Sequence, residues 1–266
     1  MWTPGVHRPS NLIRVMPAKE VDADVQRRAP GVSTPSVPLV VSGPMQGRPM
    51  RVVVVASAEL DPSDGSWLDG ADQVIAADGG AGSLDRIGRR PDRLIGDLDS
   101  VDPSLAGRLA DAGVRVERHP PDKAASDTEL AVEAALAAGA TEVVLLGAFG
   151  GSRIDHELAN LLLLADAALA GRDIRAVRGG TVARALHGGG RADLRGAVGD
   201  VVTLLPVGSD ATGVTTDGLR WPLASATLRL GRSRGLSNVV VRSPASVLIE
   251  GGTLLVVETA LRGDGT

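Results

Sequence analysis

The chain contains no cysteine and no tyrosine, and only one phenylalanine and three tryptophans among its 266 residues. Without cysteine it forms neither disulfide bonds nor thiolate zinc sites, which fits a reducing compartment and favours the cytoplasm as its location. Because aromatic side chains are scarce, we expect a core built mainly from Leu, Val, Ile and Ala.

Long apolar segments and an excess of basic charge are also missing. The longest apolar candidate, Leu158 to Ala170, is interrupted by Asn160 and Asp166, so nothing approaches the roughly 20 residues that cross a bilayer. The net charge of −4 argues against a nucleic-acid-binding surface, which usually carries a basic patch. The chain also lacks the Gly-x-x-x-x-Gly-Lys-Ser/Thr sequence of a P-loop. We therefore predict no membrane and no nucleic-acid partner, while a small phosphorylated ligand stays compatible.

What is present predicts a globular α/β protein. Residues 1 to 49 hold eight prolines and are predicted to form a disordered extension. Residues 50 to 178 alternate strands rich in Val, Leu and Ile with helices, one of them from about Asp155 to Ala170. This alternation favours a mostly parallel, three-layer α/β domain. From 179 to 262 the apolar segments are short and separated by Gly, Pro, Asp and Ser, which is typical of an antiparallel, sandwich-like β domain.

Three acidic clusters recur about one βαβ unit apart. They are the run Gly96-Asp97-Leu98-Asp99-Ser100, the segment from Asp122 to Glu129, and the segment from Gly150 to His156. A βαβ unit takes roughly 30 residues, so parallel strands would bring all three to one carboxyl edge, where open α/β sheets bind ligands. Converging carboxylates repel one another unless a cation lies among them, and such oxygen ligands suit Mg²⁺ held together with phosphates. The pattern therefore indicates a Mg²⁺-dependent phosphoryl-transfer enzyme.

Each cluster also has a purely structural explanation. Asp97 and Asp99 fit an ordinary Asp-rich turn, and Asp127 suits the positive end of a helix dipole. That helix start equally offers N–H groups to a phosphate. In the third cluster the glycines alone are common in α/β proteins, but Arg153 can bind two phosphate oxygens and Asp155 can reach a metal. The residues that raise this cluster above a common turn are Arg153, Asp155, His156 and Asn160.

The β domain contributes two further motifs. Trp221, in Gly218-Leu219-Arg220-Trp221, is by base rate a packing residue on a half-buried strand. In a chain this poor in aromatics it is also the obvious face for stacking a heteroaromatic ring. Ser237 and Asn238 either form a turn or hydrogen-bond a ligand.

Taken in order, these stretches resemble thiamine pyrophosphokinase over about Met50 to Val257. The resemblance implies an N-terminal α/β catalytic domain over residues 50 to 178, a thiamine-binding β domain over 179 to 262, and a homodimer with active sites between subunits. It also implies transfer of a diphosphoryl group from ATP to the hydroxyl of thiamine. The motifs that carry it are Asp78-Gly79-Gly80-Ala81, Pro91-Asp92, Gly96 to Ser100, Asp122 with Ser126-Asp127, Gly150 to Asn160, Gly218 to Trp221 and Ser237-Asn238.

The resemblance assigns a role to each candidate residue. Asp97, Asp99 and Asp127 would hold Mg²⁺ and the ATP phosphates, and Asp155 would assist them in catalysis. The residues placed at the nucleotide are Ser100, Asp122, Lys123, Ser126, Arg153, His156 and Asn160. The residues placed at thiamine are Asp78, Trp221, Ser237 and Asn238.

The chain departs from the family pattern at three positions, and two other functions stay open. Lys123 stands where the family usually has Gln, Ser126 replaces a usual Thr, and Ser152 is an extra residue before Arg153. One alternative is a diphosphokinase that acts on another hydroxymethyl heterocycle, such as a pterin. The other is a non-catalytic thiamine or nucleotide sensor on the same scaffold, although a sensor need not keep the metal-binding carboxylates.

Overall fold

The structure is a computed structural model that describes residues 49 to 261. The predicted Pro-rich extension therefore lies outside the described residues, apart from Pro49. Among the residues that are described, every helix falls short of the length and apolar character needed to cross a bilayer.

A ten-stranded sheet organises the described chain, and its first six strands are parallel. Their order across the sheet is β6-β5-β1-β2-β3-β4. All six therefore end at one carboxyl edge. The strands are β1 (Arg51–Val55), β2 (Gln73–Ala77), β3 (Arg93–Gly96), β4 (Arg115–Arg118), β5 (Glu142–Leu146) and β6 (Asp173–Arg178).

Helices cover both faces of this parallel part, as the sequence predicted. Successive residues of β1 point to opposite faces, so Val52 and Val54 pack with the α3 and α4 side while Val53 and Val55 pack with the α1 and α2 side. The result is a three-layer arrangement with an aliphatic core. The helices are α1 (Gly80–Arg86), α2 (Pro103–Asp111), α3 (Asp127–Ala137) and α4 (Ile154–Leu163), with short 3-10 helices at Pro62–Leu68 and Ala167–Leu169.

The strands that follow β6 are antiparallel and form a sandwich. A hairpin turn at Gly179 and Gly180 leads from β6 into the next strand without leaving the sheet, since Arg178 pairs with Thr181. Four strands extend the ten-stranded sheet, in the order β12-β9-β14-β7, and four form a second sheet, in the order β11-β10-β13-β8. The bounds are β7 (Thr181–His187), β8 (Arg191–Leu194), β9 (Val201–Pro206), β10 (Ala211–Asp217), β11 (Ala226–Leu228), β12 (Asn238–Val239), β13 (Ala245–Leu248) and β14 (Thr253–Thr259).

A separate aliphatic core fills the space between these two sheets. Its members come from both layers, for example Leu204 and Val256 from the large sheet and Val214 and Val247 from the small one. The predicted fold class, α/β followed by a sandwich-like β domain, is therefore confirmed. The structure adds that one layer of the sandwich is continuous with the parallel sheet.

Candidate active site

Three carboxylates meet at the carboxyl edge of the parallel sheet. Asp78 directly follows β2, Asp97 directly follows β3, and Asp127 begins α3. One oxygen from each lies within 4.8 Å of the other two. We call these three residues the acidic cluster. The first two predicted clusters thus meet at the sheet edge through Asp97 and Asp127, but the third does not contribute a carboxylate to the group. Asp78, which the resemblance placed at the substrate, lies inside the group in place of Asp99.

Gly96 makes this close approach possible. It has a φ of 154°, a backbone conformation that residues with a side chain rarely adopt. A β-carbon added at this position would lie 3.0 Å from Asp78 Cβ and 3.2 Å from both Cγ and Oδ1 of Asp127. The end of β3 must therefore be glycine for Asp78 and Asp127 to approach each other.

Asp78 is the most buried member of the acidic cluster, with 5% of its surface exposed. Its backbone φ is 44°, and its Oδ1 atom is buried without a hydrogen-bond partner among the described residues. Burial raises the pKa of Asp78, and the charges of Asp127 and Asp99 add to this, although hydrogen bonds from Ser100 and Gly79 oppose it. Because burial disfavours its charged form, the ionised Asp78 carboxylate would be stabilised by a cation that enters the acidic cluster.

Lys123 is the positive charge of this site. Its Nζ atom lies 3.0 Å from Asp127 Oδ1 and 3.6 Å from Asp97 Oδ2. The Asp99 N–H donates to Asp97 Oδ1 over 3.2 Å. This hydrogen bond, followed by the charge of Lys123, lowers the pKa of Asp97. Asp97 is therefore ionised at neutral pH.

The remaining residues of the first two motifs surround the acidic cluster. Asp99 is exposed and lies outside the three-residue group, and its Oδ1 accepts a hydrogen bond from Ser100 Oγ over 2.9 Å. Asp122 is exposed on the loop before α3. Ser126 is the N-cap of α3, since its hydroxyl accepts from the Glu129 N–H over 3.1 Å. Ser126 thus has a structural role in placing Asp127 at the first turn of the helix.

The third sequence cluster, Gly150 to His156, lies at the exposed start of α4. Arg153 and Asp155 are bound to each other through two hydrogen bonds of 2.9 and 2.6 Å, and this contact lowers the pKa of Asp155. His156 is exposed one residue further on. Asn160 is buried, and its side chain donates to the Ala148 carbonyl over 2.9 Å. Asn160 therefore ties α4 to the loop after β5, while Arg153 and Asp155 face solvent.

A second site surrounds Trp221 in the β sandwich. Trp221 is 57% exposed and borders a cavity of about 440 Å³. Asn238 fixes the backbone of Trp221 on both sides, because its Oδ1 accepts from the Trp221 N–H over 3.1 Å and its Nδ2 donates to the Trp221 carbonyl over 2.8 Å. Ser237, with a φ of 55°, also borders the cavity. The three predicted residues of the β domain are thus brought together.

Two cavity residues were not anticipated from the sequence. Leu204 of β9 and Arg234 both border the cavity. Arg234 lies within three residues of the Ser237 motif, and that proximity was an available signal. Leu204 is distant in sequence, and its N–H donates to the Gly235 carbonyl over 2.9 Å. A β-carbon on Gly235 would lie 2.0 Å from the Leu204 carbonyl oxygen, so the close approach depends on this glycine.

The acidic cluster fits a divalent cation. It supplies one hard oxygen from each of three carboxylates, and the Asp78 carboxylate also has a buried Oδ1 that lacks a hydrogen-bond partner among the described residues. Mg²⁺ prefers such carboxylate oxygens and is usually bound together with phosphates. The cavity beside Trp221 is suited to a flat ring, since its lining combines an aromatic face with hydroxyl and amide groups. The chain therefore has a carboxylate cluster that can hold a divalent cation and a separate cavity that can hold a flat ring.

Two family models match the chain. Residues 65–176 match the model described as the catalytic domain of thiamin pyrophosphokinase. Residues 192–254 match the model described as the vitamin B1 binding domain of thiamin pyrophosphokinase. The first match contains the acidic cluster, and the second contains Trp221, Ser237 and Asn238.

Individual proteins give the same result. The chain is 27% identical to thiamine pyrophosphokinase 3 of Oryza sativa subsp. japonica over 226 residues, which is 73% of this chain and 80% of the relative. A crystal structure of thiamin pyrophosphokinase from Geobacillus thermodenitrificans superposes with a TM-score of 0.68 at 27% identity, covering 80% of this chain and 99% of the other. The structure of the Bacillus subtilis enzyme superposes with a TM-score of 0.71 at 23% identity, over 79% and 99%.

Proposed function

Because the chain belongs to the thiamine pyrophosphokinase family, we propose that it transfers a diphosphoryl group from ATP to the hydroxyl of thiamine, giving thiamine diphosphate and AMP. The chain is thus an ATP-dependent diphosphotransferase. The observation that carries this conclusion is the acidic cluster at the carboxyl edge of the parallel sheet. The first family match is to a catalytic domain, so a sensor role is not favoured, and the second is to a vitamin B1 binding domain, so a pterin substrate is not favoured.

We further propose Mg²⁺ as the metal and the acidic cluster as its ligands. When bound, Mg²⁺ would neutralise charge on the phosphates that are transferred. Asp78, Asp97 and Asp127 supply the oxygens, and the unpartnered Asp78 Oδ1 supports this role. Asp99 follows Asp97 by two residues and is not a member of the three-residue group, so we propose that it contacts the nucleotide.

The protein itself contributes little covalent chemistry to this reaction. Phosphoryl transfer depends on alignment of the attacking and leaving oxygens and on neutralising charge. Attack falls on the β-phosphorus, so AMP is the leaving group. Arg153 has a guanidinium that can bind two phosphate oxygens once it releases Asp155. Asp97 and Asp99 are the two candidates to accept the proton of the thiamine hydroxyl.

Thiamine would bind in the cavity beside Trp221. Trp221 is 57% exposed, with the Arg220 guanidinium 5.7 Å from its ring centroid, and its indole can stack on a ring of thiamine. Ser237 and Asn238 contribute polar groups at the same cavity. In this proposal residues 50–178 bind ATP and the metal, and residues 179–262 bind thiamine. Cytoplasm remains the proposed location, where ATP is available.

The distance between the two sites supports a homodimer. Asn238 in β12 and Asp78 after β2 both lie toward the carboxyl edge, but seven strand-to-strand steps separate β12 from β2. At a strand spacing of about 4.8 Å these steps amount to about 34 Å along the sheet. The thiamine hydroxyl is only two carbons from the thiazolium ring, so one molecule cannot span this separation. A second subunit can supply the missing half of each site.

The surface of α4 supports the same arrangement. Ile154, Leu158 and Leu162 recur at intervals of four residues on one face of this helix and are 71%, 53% and 53% exposed. Apolar side chains in such a row are typical of a covered surface. Since Arg153 and Asp155 lie at the start of the same helix, a partner that covers this face would also approach the phosphate site.

Product analysis tests the reaction. The purified chain is incubated with ATP, Mg²⁺ and thiamine, and the products are separated. We expect AMP and thiamine diphosphate in equal amounts. ADP with thiamine monophosphate would instead identify a simple kinase, and a lack of any turnover of thiamine would refute the proposed function.

Mixing two impaired variants at a thiamine concentration well below its KM tests the shared site. Asp97→Asn disables the metal half, and Trp221→Ala weakens the thiamine half so that about a tenth of the wild-type rate remains under these conditions. If each site is built from two subunits, a mixed dimer has one site with both defects and one intact site. After subunit exchange at equal concentrations, about a quarter of the wild-type activity should return, because half the dimers are mixed. No recovery in a demonstrably mixed dimer would place each site within one subunit.

A further inference from the structure

Lys123 is an unusual residue in this chain. The sequence holds 28 basic residues, and all but Lys19 and Lys123 are arginines. Lys123 is therefore the single lysine among residues 49 to 261. A lysine carries a compact point charge on a flexible stem, whereas arginine presents a planar fork suited to pairwise hydrogen bonds. The positive charge that contacts the acidic cluster is thus an ammonium, which resembles a bound metal ion more closely than a guanidinium does.

The position of Lys123 is well defined by its contacts. Its side chain is 13% exposed, and Nζ contacts Asp127 Oδ1 at 3.0 Å and Asp97 Oδ2 at 3.6 Å. The same ammonium donates to the Pro120 carbonyl over 3.4 Å. One donor therefore connects the residue after β3, the first residue of α3 and the loop that precedes α3. These contacts link two of the three carboxylates of the acidic cluster directly.

The charges in the acidic cluster balance only in part. With its three carboxylates ionised, the cluster and the Lys123 ammonium together would carry two negative charges, which one divalent cation would neutralise. Without Lys123, the carboxylates of Asp97 and Asp127, which each place an oxygen within 4.8 Å of the other, would repel each other. With it, they stay together before any metal arrives. The same ammonium must also repel a free divalent cation that enters the acidic cluster.

We propose that Lys123 is a positioning residue that acts as a tethered counter-ion of the acidic cluster. It holds Asp97 and Asp127 together in the metal-free enzyme and weakens the binding of a free divalent cation. An ion that arrives with ATP brings phosphate charge that attracts the ammonium, so the penalty falls on the free ion alone. This inference deepens the proposed function and rests on the metal role of the acidic cluster.

Binding of Mn²⁺ alone, followed by the electron paramagnetic resonance of the free ion, tests the inference without turnover. Lys123→Gln removes the charge and shortens the side chain by one atom, and Lys123→Arg is the matched control that keeps the charge. We expect Lys123→Gln to bind free Mn²⁺ at least roughly tenfold more tightly than the wild type, because a like charge has been removed from the cluster. Lys123→Arg should gain no affinity. Equal or weaker Mn²⁺ binding by Lys123→Gln would overturn the inference.

A second measurement uses the chain with its lysine intact. Reductive methylation with ¹³C-formaldehyde adds two labelled methyl groups to each lysine and preserves the charge. The two lysine signals are assigned with Lys19→Arg. On titration with MgCl₂ we expect the Lys123 signal to move and the Lys19 signal to stay. A fixed Lys123 signal at Mg²⁺ concentrations that displace Mn²⁺ would overturn the inference even if Lys123→Gln fails to fold.

Failure of this inference is distinguishable from failure of the proposed function. If the wild type forms thiamine diphosphate but Lys123→Gln gains no Mn²⁺ affinity, the reaction stands and the counter-ion role is wrong. If the wild type binds Mn²⁺ but forms no thiamine diphosphate, the proposed reaction is wrong, and the Mn²⁺ affinities still decide the role of Lys123.

Discussion

Replacement of Gly96 by alanine should damage the acidic cluster without removing any of its charges. The added β-carbon would lie 3.0 Å from Asp78 Cβ and 3.2 Å from Asp127 Cγ and Oδ1. Asp127 is the first residue of α3, and the Asp78 N–H donates to the Ile95 carbonyl over 2.8 Å, so neither residue can move away freely. The methyl group must displace one of them by a few tenths of an ångström.

Two effects set the expected magnitude for Gly96→Ala. A side chain at a φ of 154° is strained, and such strain costs about 1–3 kcal/mol. For a chain of this size, each kcal/mol should lower the melting temperature by about 2–4 °C. Displaced carboxylates should lower kcat by roughly ten- to a hundredfold, because misplacement by less than 1 Å is costly in a site that works by alignment. Mn²⁺ affinity should fall together with kcat.

The assay for Gly96→Ala combines thermal melting, Mn²⁺ binding and thiamine diphosphate formation. Gly82→Ala is the matched control, because Gly82 lies inside α1 and an added β-carbon there meets nothing within 4 Å. That control should be as stable as the wild type or slightly more so. Full activity and unchanged Mn²⁺ affinity in Gly96→Ala would refute the argument that this glycine holds the acidic cluster together.

Further variants separate the contributions of the two sites. Asp97→Asn should lower kcat at least about a hundredfold while the melting curve stays close to the wild type; undiminished activity would remove Asp97 from the site. Trp221→Ala should raise the KM for thiamine roughly tenfold, with Trp221→Phe restoring most of it; unchanged thiamine affinity would contradict stacking. Asp78→Asn, melted in EDTA, should be more stable than the wild type at pH 7. Since the pKa of Asp78 is raised, the folded wild type gains stability as pH falls through that pKa, so the difference should shrink toward acid pH and a constant difference would be inconsistent. Leu158→Arg should convert a homodimer to monomers with loss of activity, which sedimentation would detect; an unchanged dimer would remove α4 from the interface.

Secondary structure was predictable where the signal is local. The Val-rich β1 and the helix α3 with its Ser126 N-cap follow from apolar runs and capping residues that act over a few positions. Prediction was poorer where a local hydrogen bond competes with a long pattern. The helix expected from about Asp155 to Ala170 ends at Leu163, because Asp166 accepts from the Ala168 N–H and begins a 3-10 turn.

The strands around residue 180 show a different limit. No specific strand was predicted for β6, β7, β8 or β10, although all four are present. The two glycines at 179 and 180 are a hairpin signal, and that signal joins β6 to β7 within one sheet. The boundary placed between residues 178 and 179 coincides with this hairpin. The assignment of ATP and metal binding to residues 50–178 and of thiamine binding to residues 179–262 stays a prediction.

The sequence by itself determined the order of strands β1 to β5 and helices α2 to α4 and the placement of carboxylates directly after strands, because apolar periodicity and turn residues act locally. Only the tertiary structure decided that Asp78 joins Asp97 and Asp127, that Lys123 lies between two of these carboxylates, and that Leu204 borders the Trp221 cavity. These contacts depend on the strand order β1-β2-β3 and the register of β12 on β9, and both result from pairing between distant segments. A pattern of neighbouring residues holds no information on such pairing until the sheet has formed.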